Sequence, residues 1–546
     1  MDIKQQIEQA LIRAVEEAVA AGQLPEGGAL PPILLEEPPE KELGDFATNF
    51  AMQSARVFRQ PPQRIAAAIQ EHLTGDWLER AEVAGPGFLN LYLKKSVIAD
   101  TLRAVLAVGE TFGTLPPNGA PRIQVEYVSA NPTGPLHIGH VRGAVFGDTL
   151  ARVGLHIGEN IATEYYINDA GNQIELLGTS ISLWARENLF GESVAYPEKF
   201  YRGDYIGPIA KEALEKFGKE IFYDDSRNLE LAEFGKDKVL VLIKQNLADA
   251  QIFIKNWASE KSYYDKLPLT LDRLKNENGI YESEGKIWLK SSEVGDEKDR
   301  VIVREDGRGT YLAGDVVYHD DKFRRGFDRC INIWGADHHG YIARMKAALH
   351  LLGYDENRLE IILSQMVSLL KDGEAYKMSK RAGNVVLMSD VVEEIGYEAL
   401  RFIFLSKRCD THLEFDVDEL KREDSSNPIF YINYAHARIN QIFAKAGKNV
   451  VDVAGVKFAN LNEDGKNLLF EALTLNDILV DSFNTRAVNK ICDYLKSLAA
   501  NFHKFYNENR VVGSENEDEL LKLFAVVALS IKTALGLMGI AAKDKM

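Results

Sequence analysis

The sequence predicts an α/β protein: a parallel-sheet domain in the middle of the chain, a small α+β unit before it and an all-helical unit after it. Three patterns carry this expectation. Between about residues 120 and 400, short apolar runs alternate with helical periodicity, as when strands are joined by crossover helices. The first 112 or so residues combine amphipathic helices with one alternating strand. From about residue 401 onward every apolar pattern is helical.

Each element has a local reason. Ile3, Ile7, Ala10, Leu11, Val15 and Ala18 recur at helical spacing. A Pro-rich loop around Pro25 to Pro39 follows, then the amphipathic DFATNFAMQSARVF. PPQRIAAAIQEHL places proline just ahead of a first helical turn. GPGFLNLYL alternates after a Gly-Pro-Gly turn and reads as a strand, and FGTLPPNGAPR reads as a linker. IQVEYV, CINIWG and the run from Leu359 to Val367 are buried-strand patterns, with a helix expected over Tyr341 to Leu352. The charged stretch near 185–300 reads as a helical insertion in the sheet domain. These patterns divide the chain at about 1–112, 120–400 and 401–546.

Charge narrows the function. The net charge is −17, divided as −6 over residues 1–120, −10 over 121–400 and −1 over 401–546. Such a balance excludes a general nucleic-acid coat, which needs excess positive charge, but leaves room for one specific RNA met by local basic patches. Cys330, Cys409 and Cys492 lie far apart without zinc-ligand spacing, so no protein metal site is expected and a reducing compartment is. The N-terminus lacks a basic segment followed by an apolar core, which points to a cytoplasmic protein. The most apolar stretch, Leu523 to Ala542, is interrupted by Lys532 and reads as a buried helix rather than a membrane span.

Two motifs carry chemistry. In VEYVSANPTGPLHIGHV a strand runs into a Pro/Gly turn, and His137-Ile-Gly-His140 opens a helix. A helix start offers unpaired N–H groups and positive potential to phosphates. Gly139 leaves room for close approach, and the two histidines share one face as donors. About 240 residues downstream, Lys377-Met378-Ser379-Lys380 lies in a Gly-flanked polar loop, where two lysines can neutralise charge developing on a triphosphate. Neither a P-loop nor a dinucleotide GxGxxG is present.

HIGH followed by KMSK resembles the class I aminoacyl-tRNA synthetases. VEYVSANPTGPLHIGHVRGAVFGD, YYINDAGNQI, YLAGDVVYH and INIWGADHHGY together resemble arginyl-tRNA synthetases, over nearly the whole chain. Many members of that family carry a degenerate second motif, whereas KMSK is intact here. The resemblance implies a Rossmann-like catalytic domain, an N-terminal additional domain contacting the tRNA elbow and a helical anticodon-binding domain. It implies ATP with Mg²⁺ as a substrate complex, no prosthetic group, L-arginine and tRNA(Arg) as partners, no membrane, a monomer, and transfer to a 2′-hydroxyl. The competing readings are another class I synthetase and a catalytically silent synthetase-like RNA-binding protein.

A pocket for a guanidinium needs carboxylates placed for paired hydrogen bonds. Glu126 sits just before the HIGH turn, Tyr311 and Asp315 lie one helical turn apart, and Asp337 follows a strand. By resemblance, Glu126, Asn131, Tyr311 and Asp315 hold the amino acid, with Asp337 lining the site. His137, Gly139, His140, His338, Lys377, Met378, Ser379 and Lys380 bind ATP, the two histidines and two lysines being catalytic. Phe88, Asn90 and Tyr92 alternate onto one strand face suited to a splayed base. Tyr431, Tyr434 and Arg438 lie on one expected helix as tRNA contacts.

Overall fold

The computed structural model describes residues 3–26, 28–36, 38, 43–94, 103–114, 121–371, 373–375 and 386–546. Lys377, Met378, Ser379 and Lys380 lie outside the described residues. The chain forms two compact units: Met1–Gly109 with Ile442–Leu469 and Asn509–Val526, and Glu110–Gln441 with Phe470–Glu508 and Val527–Met546.

In the first unit, β1 (Phe46–Thr48), β2 (Leu78–Ala84) and β3 (Phe88–Leu93) make an antiparallel sheet in the order β1-β3-β2. The period-2 pattern sends Leu89, Leu91 and Leu93 into a core with Ile7, Leu11, Phe50 and Ile65. The helices Ile3–Ala20, Phe50–Phe58 and Pro62–His72 present the other side of that core. Each such side chain taken from water contributes about 1.5–3 kcal/mol.

The second unit is built on five parallel strands: β4 (Arg122–Glu126), β5 (Asn160–Ile167), β6 (Asn256–Ser259), β10 (Arg329–Gly335) and β11 (Leu359–Ser364). Their order is β11-β10-β4-β5-β6. The chain therefore moves one way from β4 and the other way from β10. The crevice at such a switch point, outside the carboxyl ends of the strands, is where open α/β sheets take ligands. Two small sheets accompany it: β7 (Ile280–Ser283), β8 (Lys286–Leu289) and β9 (Arg300–Val303); and β12 (Val367–Lys371), β13 (Glu374–Ala375) and β14 (Leu413–Asp416).

The stretch expected to be a helical insertion carries the helices Ile206–Phe217 and Asn228–Asp249. It also carries β6 to β9, which the periodicity did not show. Four residues are too few for an alternation signal, and only Ala258 of β6 is buried. In the C-terminal part the long elements are helices, from Pro428–Ala446 to Glu517–Leu537, but β14 lies within the stretch expected to be all-helical and pairs with β12, four residues again being too few to show alternation. The last of these helices is long and apolar enough to cross a membrane, yet 72% of its apolar window is buried within the protein, the behaviour of a core helix.

One buried charge ties this unit together. Arg401, with no exposed surface, donates to Asp148 Oδ2 at 2.6 Å, to the Ala250 carbonyl at 2.9 Å and to the Met538 carbonyl. Removing one partner of such a pair strands the others without water. Arg401→Met is expected to cost about 3–5 kcal/mol, read as a fall in denaturation midpoint at unchanged slope.

Candidate active site

The HIGH turn occupies the predicted end of the switch-point crevice. β4 ends at Glu126, and the helix Ile138–His156 begins after the turn. Between them, Val128 and Ser129 take φ of 72° and 43°. A β-branched residue in the left-handed region is strained, and the surroundings must hold it there. Ser129 Oγ does so, donating to Glu126 Oε1 at 3.2 Å and accepting Tyr166 N–H at 3.1 Å. The middle of that helix is packed closely against the residue after β4. A Cβ on Gly147 would sit 2.5 Å from the Tyr127 ring, so glycine is required for the helix to lie on β4.

His137 caps that helix. Its Nδ1 accepts the Gly139 N–H at 3.2 Å, while His140 Nδ1 accepts the His137 N–H at 3.4 Å. The rings lie 3.7 Å apart. Burial lowers the affinity of His137 for a second proton. Burial, with His137 beside it, brings His140 down to about 3. Both imidazoles are therefore neutral at physiological pH. With each Nδ1 accepting a backbone amide, the proton sits on Nε2, leaving two neutral N–H donors at a helix N-terminus. The segment following the second motif is stitched to this turn. Ile138 N–H donates to the Val386 carbonyl and Met388 N–H to the Leu136 carbonyl, both at 2.9 Å.

Beside the turn, carboxylates follow successive strand ends: Glu126 at β4, Asp169 after β5 and Glu260 after β6. The helix Tyr311–Arg324 adds Asp315, with Thr310 capping its first turn. Tyr311 is 60% exposed, and Gly171 makes room for its hydroxyl, which a Cβ would meet at 2.9 Å. Asp315 accepts the Tyr341 hydroxyl at 2.5 Å. Burial pushes its carboxyl up to about 6, with the Glu126 charge adding to the rise. Glu260, 4% exposed, is pushed up to about 7 by burial and then by the charges of Asp315 and Asp169. Its Oε2 has no hydrogen-bond partner, and neither has the buried Tyr166 hydroxyl, which faces the same Asp315 and Glu260 charges. Buried polar atoms left unpaired mark a place where a ligand completes the bonding. Glu260, Tyr264, Arg304 and Tyr311 line a cavity of about 550 Å³.

Other expected residues fall as follows. Glu126 is 4% exposed and already paired, its Oε2 accepting Tyr318 Oη at 2.9 Å and Lys322 Nζ at 2.5 Å. Its Oε2 is thus held in an internal ion pair. Asn131 is exposed in the turn after β4. Asp337 and His338 follow β10 with their side chains largely exposed, Asp337 Oδ1 lying 3.1 Å from His338 Nδ1. In β3, Phe88 and Tyr92 are half-buried on the face away from the core and Asn90 is buried, while Arg80 lies 3.5 Å over the Tyr92 ring. Tyr431 and Tyr434 pack on His503 at ring separations of 4.5 and 5.5 Å, and Arg438 donates to the Tyr434 hydroxyl. Glu260 was missed from sequence, since it belongs to no recognised motif and its strand is short. Among the described residues, no group of three or more His, Cys, Asp or Glu is placed to hold a metal ion.

Residues 102–444 match the class I tRNA synthetase (R) catalytic domain. A Campylobacter concisus arginine–tRNA ligase is 63% identical over 514 residues, covering 94% of this chain and 97% of that protein. The chain belongs to the arginyl-tRNA synthetase family. The synthetase's residues 1–93 match the arginyl tRNA synthetase N-terminal domain and residues 432–546 the DALR anticodon binding domain. A solved arginyl-tRNA synthetase structure from Campylobacter jejuni is 64% identical, with a TM-score of 0.81 over 83% of this chain and 100% of that one. The Thermus thermophilus arginyl-tRNA synthetase shares the fold at 20% identity, with a TM-score of 0.74 over 99% of this chain and 100% of the other. Relatives and fold agree with the geometry: a HIGH turn at the switch point of a parallel sheet.

Proposed function

We propose that the neutral His137–His140 pair, the second-motif lysines and the carboxylate pocket around Asp315 and Glu260 carry the reaction of an arginine–tRNA ligase. As a member of its family the protein activates L-arginine with ATP and transfers it to tRNA. The observation that carries the site assignment is the unpartnered, buried Glu260 Oε2 beside the protonation-prone Asp315. A guanidinium supplies N–H donors in a planar fork and a fixed positive charge, which is what two crowded carboxylates lack.

The arginine carboxylate is already ionised and attacks the α-phosphate of ATP without a general base. Catalysis is positioning and electrostatics. Nε2–H of His137 and His140 donate to phosphate oxygens at the positive end of the helix. Lys377 and Lys380 neutralise the departing pyrophosphate. Mg²⁺ would enter with ATP as part of the substrate complex and would ease the charge on its phosphates. Glu126, Tyr311 and Asn131 border the amino acid, and Gly139, Met378, Ser379 and His338 border ATP, with Asp337 at the rim. The aminoacyl group then passes from the arginyl-adenylate to a hydroxyl of the terminal ribose of tRNA(Arg), with AMP as the leaving group. Phe88 and Asn90 of the additional domain and Tyr431, Tyr434 and Arg438 of the helical domain contact that RNA. The domains follow the division at about 1–112, 120–400 and 401–546, and the enzyme works as a cytoplasmic monomer.

Lys380→Ala is expected to lower the turnover number ~10²-fold with little change in the Michaelis constant for arginine. An unchanged turnover number contradicts the lysine assignment. The function itself is tested by ATP–pyrophosphate exchange with each of the twenty amino acids, with and without tRNA. Arginine alone should support exchange. Exchange with a different amino acid, or none while tRNA binding is intact, overturns the reading.

A further inference from the structure

One buried side chain beside the pocket is used neither by the motifs nor by the steps above. Tyr166, in β5, is 8% exposed, and its hydroxyl finds no hydrogen-bond partner among the described residues. The rest of the residue is held firmly. Its ring stacks on Tyr318 at a centroid separation of 4.2 Å, with 24° between the planes. Tyr318 is itself fixed, its hydroxyl lying 2.9 Å from Glu126 Oε2 and 2.6 Å from Glu164 Oε1. The Tyr166 N–H donates to Ser129 Oγ at 3.1 Å, in the turn that leads to His137. Ala258, Tyr263 and Val317 complete the apolar surroundings of the ring.

This placement puts the hydroxyl beside both carboxylates of the pocket. Asp315 and Tyr318 lie three residues apart on one face of the helix Tyr311–Arg324, so a ring stacked on Tyr318 lies next to Asp315. Tyr166 also pairs across the sheet with Ala258, two residues before Glu260. Glu260 is pressed against the same helix: a Cβ on Gly314, the neighbour of Asp315, would sit 3.0 Å from its Oε1. Burial, and then the charges of Asp315 and Glu260, raise the proton affinity of Tyr166, so its hydroxyl stays neutral at every working pH. A neutral hydroxyl keeps lone pairs to accept with. Native proteins rarely leave a buried polar atom unpaired, and a ring held this way cannot turn to find another partner.

We propose that Tyr166 is a specificity-determining residue of the arginine pocket: its hydroxyl oxygen accepts the guanidinium N–H that Asp315 and Glu260 leave unpaired. This role rests on the pocket assigned above. A guanidinium carries five N–H donors in one plane. Two carboxylates, each matched to one edge, accept four of them. The fifth sits on a terminal nitrogen and turns back toward the side-chain stem. Buried with the rest, it needs an acceptor of its own. A phenol oxygen supplies one without adding charge to a pocket already crowded with carboxylates.

Tyr166→Phe removes the hydroxyl and keeps the ring. The Michaelis constant for arginine should rise about tenfold, the loss of one hydrogen bond to a charged group, with turnover at saturating arginine within about twofold of the parent. The denaturation midpoint without arginine should stay at or above the parental value, because the variant removes a buried polar group that is unpaired in the free enzyme. The preference for arginine over Nω-methylarginine, read as the ratio of kcat/KM values, should narrow about tenfold, because the analogue lacks one terminal N–H and gives up nothing when its acceptor goes. Asp315→Asn serves as the control for the pocket and should raise the arginine constant as well. If it does not, the pocket lies elsewhere and the role of Tyr166 falls with it. With Asp315→Asn behaving as expected, an unchanged arginine constant or an unchanged preference in Tyr166→Phe overturns the proposal and leaves the pocket standing. A midpoint that falls, or a variant that does not fold, also overturns it, since the hydroxyl is then bonded within the protein rather than by substrate.

Discussion

Replacing His140 with alanine lowers the turnover number by ~10²–10³-fold, the loss that follows removal of one donor aimed at developing charge. The Michaelis constant for arginine stays near its parental value, because the imidazole meets phosphate rather than the amino acid. Two features make the effect large. Nε2–H of His140 is a neutral donor at every working pH, since burial and His137 hold its second protonation near pH 3. Its Nδ1 also accepts the His137 N–H, so the variant loosens the cap that aims His137. Rapid-quench measurement of adenylate formation checks this. A parental rate removes His140 from the transition state.

Asp315→Ala raises the Michaelis constant for arginine ~10²-fold or more, since removing one partner of a desolvated charge pair costs several kcal/mol. Turnover at saturating arginine and affinity for tRNA change little, the pattern left when ground-state and transition-state binding are lost together. Steady-state kinetics with arginine and tRNA varied separately checks it. If tRNA affinity falls while the arginine constant stays put, the pocket lies elsewhere. The pH dependence has a definite sign. In the free enzyme Asp315 and Glu260 are raised to about 6 and 7, and a bound cation favours their ionised forms. Arginine affinity is therefore full above about pH 8 and falls as pH drops through 7 and then 6. Because His140 titrates far below this window, His140→Ala keeps the acid limb, whereas Asp315→Ala reshapes it.

What the sequence disclosed was local. The strand, the Pro/Gly turn and the helix-opening HIGH need only a dozen consecutive residues, and the one-turn spacing of Tyr311 and Asp315 is helical arithmetic. What stayed hidden depends on which strand lies beside which. Glu260 enters the pocket because β6 joins the edge of the parallel sheet, and a four-residue strand with one buried position leaves no periodic trace. The ion pair of Glu126 could not be read from the sequence because its partner, Lys322, is 196 residues away. A lysine in a helix reads as solvated surface until the fold buries it. The strained Val128–Ser129 step is equally invisible, since nothing in the letters marks a valine at positive φ.

Calorimetric titration of arginine near pH 6.5, in two buffers of different ionisation enthalpy, counts the protons exchanged on binding. With carboxyls at about 6 and 7 driven to ionise by the guanidinium, about one proton is released per arginine, rising toward two near pH 5 and vanishing above pH 8. Binding without proton release across that range would mean that Asp315 and Glu260 do not hold the guanidinium.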